Sequence, residues 1–191
     1  PNIMVLHDLP NDPESSKLSD ADYRSKFAKF VFVSNWQMQY YNLTHGIPYS
    51  QSVVIKNAIE PIPIKEKEYD GTVRLIYHTT PHRGLEILYP VFDRLCEILD
   101  DKIHLDVYSS FSIYGWEERD EQYKELFELC KKHPNITYHG AVPNEEVREA
   151  LKQSHIFAYP SIWPETSCLA AIEALDAMNY VVAPNYAALP E

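Results

Sequence analysis

Short runs rich in β-branched and aromatic residues alternate along this chain with longer segments whose apolar residues recur every three or four positions. No other feature of the sequence restricts the fold as much. Strands are expected over residues 3–6, 30–34, 52–55, 73–77, 104–108, 136–139, 156–159 and 180–183, and helices over 20–29, 36–45, 84–100, 116–133, 144–154 and 167–178. In 84–100, Leu88, Val91, Phe92, Leu95, Ile98 and Leu99 fall at the steps of an amphipathic helix. Repeated strand–helix–strand units require a parallel sheet covered by helices on both faces. The expected fold class is therefore α/β, a doubly wound parallel sheet. Residues 59–71 break the pattern, because Pro61 and Pro63 forbid a helix or a regular strand interior and charges follow them. This stretch reads as a linker between a three-strand unit, 1–58, and a five-strand unit, 72–191. Three strands are too few for a complete doubly wound domain, and Pro1 leads straight into an apolar run. The first unit therefore reads as the end of a domain that begins outside this chain.

Composition narrows the function. Lysine and arginine number 17 against 28 acids, a formal charge of -11, which argues against nucleic acid or an anionic membrane as partner. Glycine occurs only 5 times, so a glycine-rich phosphate loop has few residues to draw on, and neither G-x-G-x-x-G nor the Walker pattern is present. That makes a dinucleotide-dependent dehydrogenase or a P-loop NTPase a poor fit. The 3 cysteines have no metal-type spacing, and the 8 histidines have no ligand spacing on a shared helix, so no metal site is expected. No apolar run is long enough to span a bilayer, and a reduced, cytoplasmic setting is the simplest expectation.

In an open parallel sheet, ligands bind beyond the carboxyl ends of the strands, where loops lead into helix starts. After residues 73–77 comes His78-Thr79-Thr80-Pro81-His82-Arg83-Gly84. There Arg83 offers a permanent forked cation and Gly84 permits close backbone approach; the same Arg also reads as a solvated first-turn residue. After 156–159 comes a segment with Glu165 in a turn and Glu173 inside the following helix, framing the amides of Ser167, Cys168 and Leu169. A carboxylate such as Glu173 can accept both hydroxyls of a ribose, although a helix N-cap region with an acidic first turn is the more ordinary account of these residues. The segment Tyr108 to Tyr114 follows a strand on the ligand side and is a candidate to flank a nucleotide. The run Glu117-Glu118-Arg119-Asp120-Glu121 reads as a solvated helix face.

Pro164-Glu165-Thr166-Ser167-Cys168-Leu169-Ala170-Ala171-Ile172-Glu173-Ala174 resembles the Glu-x7-Glu segment of the retaining family 4 (group 1) glycosyltransferases, which have the two-domain GT-B fold. Further segments follow in that family's order: His7-Asp8-Leu9-Pro10, Val31 to Gln37, Val53 to Ile59, Pro81 to Leu88, His139-Gly140-Ala141-Val142 and Ala187 to Glu191. The resemblance implies that 1–58 is the C-terminal part of the N-terminal, acceptor domain. It also implies that 72–191 is the nucleotide-sugar donor-binding domain, stopping before its C-terminal helices. The implied activity is transfer of a sugar from a nucleoside-diphosphate sugar to a carbohydrate or other acceptor with retention of configuration, without cofactor or metal. This piece alone is then expected to be inactive.

By the same resemblance, Arg83 and Gly84 meet the donor diphosphate, and Gly140, Ala141 and Val142 form the base-binding loop. Glu173 holds the ribose, the amides of Ser167, Cys168 and Leu169 meet the distal phosphate, and Glu165 and His7 contact the sugar as the catalytic pair. Two positions depart from the pattern: His78 stands where a second basic residue is common, and Cys168 where glycine is common. These departures motivate the alternative of a nucleotide-sugar-binding module without turnover.

Overall fold

A computed structural model describes residues 2–63, 66–99 and 102–191. The chain divides into two compact units. The first comprises residues 1–58, 164–169 and 185–191, and the second comprises 59–163 and 170–184.

The first unit is built on three parallel strands, β1 (Asn2–Leu6), β2 (Phe27–Phe32) and β3 (Ser52–Val54), in the order β1-β2-β3. Phe30 and Phe32 alternate inward along β2 and join Leu18, Tyr41 and Ile47 in the core. Helix α1 (Ala21–Arg24) is a single turn, and its Asp20 cap accepts a hydrogen bond from the Asp22 amide. The expected helix at 20–29 is thus corrected: from Phe27 onward the residues pair with β1, and period-two burial in a sheet outweighs the acidic helix start. Helix α2 (Asn35–His45) begins at Ser34, whose hydroxyl accepts from the Gln37 amide, and stops at Gly46 in the left-handed region, φ 67°. The Glu191 carboxylate accepts from the amides of Asn35 and Trp36 at 2.8 and 2.5 Å, adding a negative charge at the positive end of α2.

The second unit holds five parallel strands: β4 (Val73–Tyr77), β5 (Ile103–Val107), β6 (Ile136–Tyr138), β7 (Ile156–Ala158) and β8 (Tyr180–Val182). Their spatial order is β6-β5-β4-β7-β8. The chain winds outward from β4 through β5 to β6, then returns to the other side of β4 for β7 and β8. This reversal creates a topological switch point between β4 and β7. The crossovers carry α3 (Leu85–Leu99), α4 (Lys124–Lys132), α5 (Asn144–Gln153) and α6 (Leu169–Asp176). Leu85, Leu88 and Phe92 form the buried face of α3, whereas Val91, Ile98 and Leu99, which their spacing put on the same apolar stripe, are exposed. Residue 100, the expected end of that helix, lies outside the described residues. The expected single helix at 116–133 is instead a 3-10 segment, Glu117–Tyr123, followed by α4.

Residues 59–63 and 66–71 run along the second unit. Ile62 is buried, its amide donates to Asp176 Oδ2 at 2.5 Å, and the Lys67 ammonium donates to the Leu151 and Ser154 carbonyls at the end of α5. The remaining residues of the expected linker, 64 and 65, lie outside the described set.

Candidate functional site

The switch point is framed by the segments that follow β4 and β7. After β4 the chain passes through His78, Thr79 and Thr80 into a 3-10 turn, Pro81–Arg83, that ends at Gly84 with φ 126°. A Cβ at Gly84 would lie 2.3 Å from the Pro160 carbonyl oxygen, just past β7. Only glycine lets the two loops come this close, and this contact sets Arg83 at the start of α3.

Buried polar groups gather here. The side chains of Thr79, Thr80 and, at the end of the neighbouring β5, Ser109 are almost wholly buried, and their hydroxyls have no hydrogen-bond partner among the described residues. His78 and His82 are partly buried, and the buried atoms His78 Nε2 and His82 Nδ1 likewise have no hydrogen-bond partner among the described residues. Buried polar atoms in folded proteins are nearly always satisfied, so five such atoms gathered past two adjacent strand ends single out this end of the sheet. Both imidazoles are neutral at physiological pH. Burial depresses the pKa of His78 to about 4, against an opposing hydrogen bond with the Ala170 backbone. Burial, aided by the Arg83 and Arg119 charges, depresses that of His82 to about 4.

His82 stacks on Phe111 with centroids 5.1 Å apart and meets Trp163 edge-on at 4.9 Å, tying the loops after β4, β5 and β7 together. The guanidinium of Arg119 lies over Trp116 at 4.3 Å and over Phe111 at 5.9 Å. No sequence signal announces this cluster, because Arg119 stands in an acidic run and His82 carries no motif of its own.

Glu173, on α6, is drawn to the start of α5. Its Oε1 accepts from Asn144 Nδ2 and from Arg148 Nη1, both at 3.4 Å, and Arg148 also donates to the Glu60 and Pro61 carbonyls. Helix α5 begins just after Gly140, Ala141 and Val142, so the carboxylate expected at a ribose neighbours the loop expected at a base. Gly140 adopts φ 70° there.

His7, Glu165, Ser167, Cys168 and Leu169 belong to the first unit. The Thr166 hydroxyl donates to the His7 carbonyl at 2.7 Å, and the Ala188 amide donates to the Glu165 carbonyl at 3.1 Å. The 164–169 segment is thereby held against His7 and the 185–191 turn. Glu165 is almost wholly buried, as is Cys168, while Leu169 is the first residue of α6. His78, Arg83, Gly84, Gly140, Ala141, Val142 and Glu173 all lie in the second unit. A groove of about 570 Å³ beside Thr72, Arg74, Ile103 and His104 is at the opposite ends of β4 and β5 and contains none of these residues. Among the described residues, no three His, Cys, Asp or Glu side chains are grouped to hold a metal ion, and no helix is long and apolar enough to cross a membrane.

Doubly wound α/β folds bind their ligands at such switch points. Residues 60–191, more than half of the chain, match the family described as Glycosyl transferases group 1, and the chain belongs to that family. One subunit of the human phosphatidylinositol N-acetylglucosaminyltransferase is 27% identical over 142 residues, which are 72% of this chain and 28% of that protein. Among solved structures, a glycosyltransferase from Rickettsia africae ESF-5 superposes with a TM-score of 0.74 at 16% identity, covering 97% of this chain and 52% of the other. Anabaena Alr3699/HepE, crystallised in complex with UDP and glucose, gives 0.73 at 15% identity, covering 97% and 53%. The Rossmann-like, GT-B fold class expected from the sequence is the one observed. The chain spans about half the length of these solved structures and just over a quarter of the human relative.

Proposed function

We propose that this chain is the nucleotide-handling part of a retaining glycosyltransferase that takes a nucleoside-diphosphate sugar as donor. The observation that carries the reading is the hydrogen bond to Glu173 from Asn144, two residues past the Gly140–Val142 loop, with Arg83 at the switch point of the same sheet. Base, ribose and diphosphate thus each have a chemically matched group within one unit. The complex of the Anabaena relative with UDP and glucose accords with a nucleotide-sugar donor.

Transfer breaks the bond between the anomeric carbon and the diphosphate, and negative charge grows on the leaving oxygen. Arg83 would oppose that charge, and a preorganised cation needs no solvent reorganisation to do so. The roles of Glu165 and His7 toward the sugar, and retention itself, rest on the family resemblance, as do operation without metal or cofactor and a cytoplasmic setting. The acceptor would be a carbohydrate or another molecule. A second reading, binding without turnover, is favoured by one observation: His78 is buried and neutral, so it adds no charge beside Arg83.

The test is titration calorimetry of this chain with UDP, GDP and ADP. One of them is expected to bind, and Glu173→Gln, which keeps the side-chain shape and removes the charge, should weaken it about tenfold, or about 1.4 kcal/mol. Equal affinity of the variant for every diphosphate that binds would refute the ribose role. Sugar transfer by the full-length protein separates an enzyme from a binding module.

A further inference from the structure

A diphosphate linked to a sugar carries a negative charge on each phosphate, and Arg83 supplies one positive charge. The two histidines in the loop after β4 supply none at neutral pH, since both are depressed to about 4. Arg148, on α5, is committed to Glu173 and to the carbonyls of Glu60 and Pro61. Arg119 is different. It forms no ion pair among the described residues, and its guanidinium is held on the ring faces of Trp116 and Phe111. Phe111 is the same ring on which His82 stacks, one residue before Arg83, and the charges of both arginines act on the His82 imidazole.

The loop that delivers Arg119 is braced. Asp120, the next residue, accepts from the Phe111 amide at 2.8 Å and from the Ser110 hydroxyl, and the Arg119 amide donates to the Trp116 carbonyl at 3.0 Å. With the Asp120 carboxylate tied down, the aromatic shelf restricts the guanidinium and lowers the ordering cost of a new contact. The neighbouring Glu117, Glu118 and Glu121 are exposed, and salt screens charges in contact with solvent.

We propose that Arg119, on its Trp116–Phe111 shelf, is a second phosphate-binding cation of the donor site, supplementing Arg83. This rests on the reading that the second unit binds a nucleoside diphosphate. The almost wholly buried hydroxyls of Thr80 and Ser109, without protein partners among the described residues, lie on the strand ends from which these two loops depart and suit the polar oxygens of the same ligand.

The probes are UDP, GDP and ADP with their nucleosides uridine, guanosine and adenosine, titrated against wild-type chain, Arg119→Ala, Arg119→Lys and Arg83→Ala. Arg119→Ala should weaken the diphosphate that binds about tenfold, shift nucleoside affinity less than twofold, and be partly rescued by Arg119→Lys. Trp116→Ala, which removes the shelf and leaves the charge, should produce a smaller loss in the same direction. Arg119 is exposed, so the unliganded melting temperature should be unchanged and a folding defect is read separately. If Arg83→Ala weakens the diphosphate while Arg119→Ala does not, the proposal falls and the donor reading stands. If no diphosphate binds the wild-type chain, the donor reading itself falls and takes this proposal with it.

Discussion

Acidification should destabilise the second unit through His78, by an amount the burial of that side chain sets. The imidazole lies against Phe157, with ring centroids 4.6 Å apart, and its pKa falls from 6.5 to about 4 because burial penalises the charged form. In the unfolded chain the same group titrates at its ordinary value. Below pH 6.5 the unfolded state therefore binds more protons than the folded one, so stability falls as pH drops and the loss levels off below about pH 4. Each pKa unit corresponds to about 1.36 kcal/mol, and integration between pH 7.5 and pH 5 gives a loss of about 2 kcal/mol from this residue. Urea unfolding followed by tryptophan fluorescence reads it, since Trp116 and Trp163 both report on the second unit. The comparison is wild type against His78→Gln, each measured at pH 7.5 and pH 5. His82 is depressed as well, and its contribution cancels in the difference. Wild type should lose about 2 kcal/mol more than the variant over this interval. Equal losses would show that His78 is not held neutral by burial and would refute the reasoning.

Gly84→Ala should cost on the order of 3 kcal/mol or more, because φ 126° disfavours any side chain and the new Cβ would meet the Pro160 carbonyl oxygen at 2.3 Å; a melting curve of the variant checks it. Cys130 is fully buried and its thiol is pushed up to about 11 by burial, so it should resist iodoacetamide at pH 7.5 in the folded chain and react once urea unfolds it. Peptide mapping after labelling distinguishes the two outcomes, and fast native labelling of Cys130 would contradict the burial.

The part of the fold legible in the sequence is the part encoded by local period. Spacing places Leu88 and Phe92 on the buried face of α3, and the compact runs at β4 and β7 fall where that reading puts them, whereas Val91, Ile98 and Leu99 of the same stripe are exposed. Phe27 to Phe32 also carries a period-two signal, yet the Asp20 cap and first-turn Asp22 suggest a helix that lasts only one turn. There the competition is decided by pairing with β1, which a window of neighbouring residues does not contain. Arg83, Gly84 and Glu173 are visible because each follows a strand or lies in a helix that opens at a ligand-facing end. Arg119 is hidden because its neighbours in sequence are acids, whereas its neighbours in space are Phe111 and Trp116. The neutrality of His78 is hidden for the same reason: it depends on Phe157, nearly eighty residues away in the chain.

The charge of -11 and the proposed anionic donor do not conflict. Fields from scattered surface acids decay over about 8 Å at physiological salt, while a guanidinium touching a phosphate acts at contact distance in a partly dry setting. An acidic surface does not steer an anion toward the protein, so what selectivity the site has must come from how long the ligand stays. That places the burden on fixed groups at short range. The second unit supplies them by immobilisation: Gly84 pinned to Pro160 sets Arg83, Arg148 engages Glu173, and the Trp116 and Phe111 rings hold Arg119. Two neutral imidazoles in the midst of this arrangement fit the same logic, since a protonated His78 buried beside Phe157 would cost the fold more than its charge could return to a ligand.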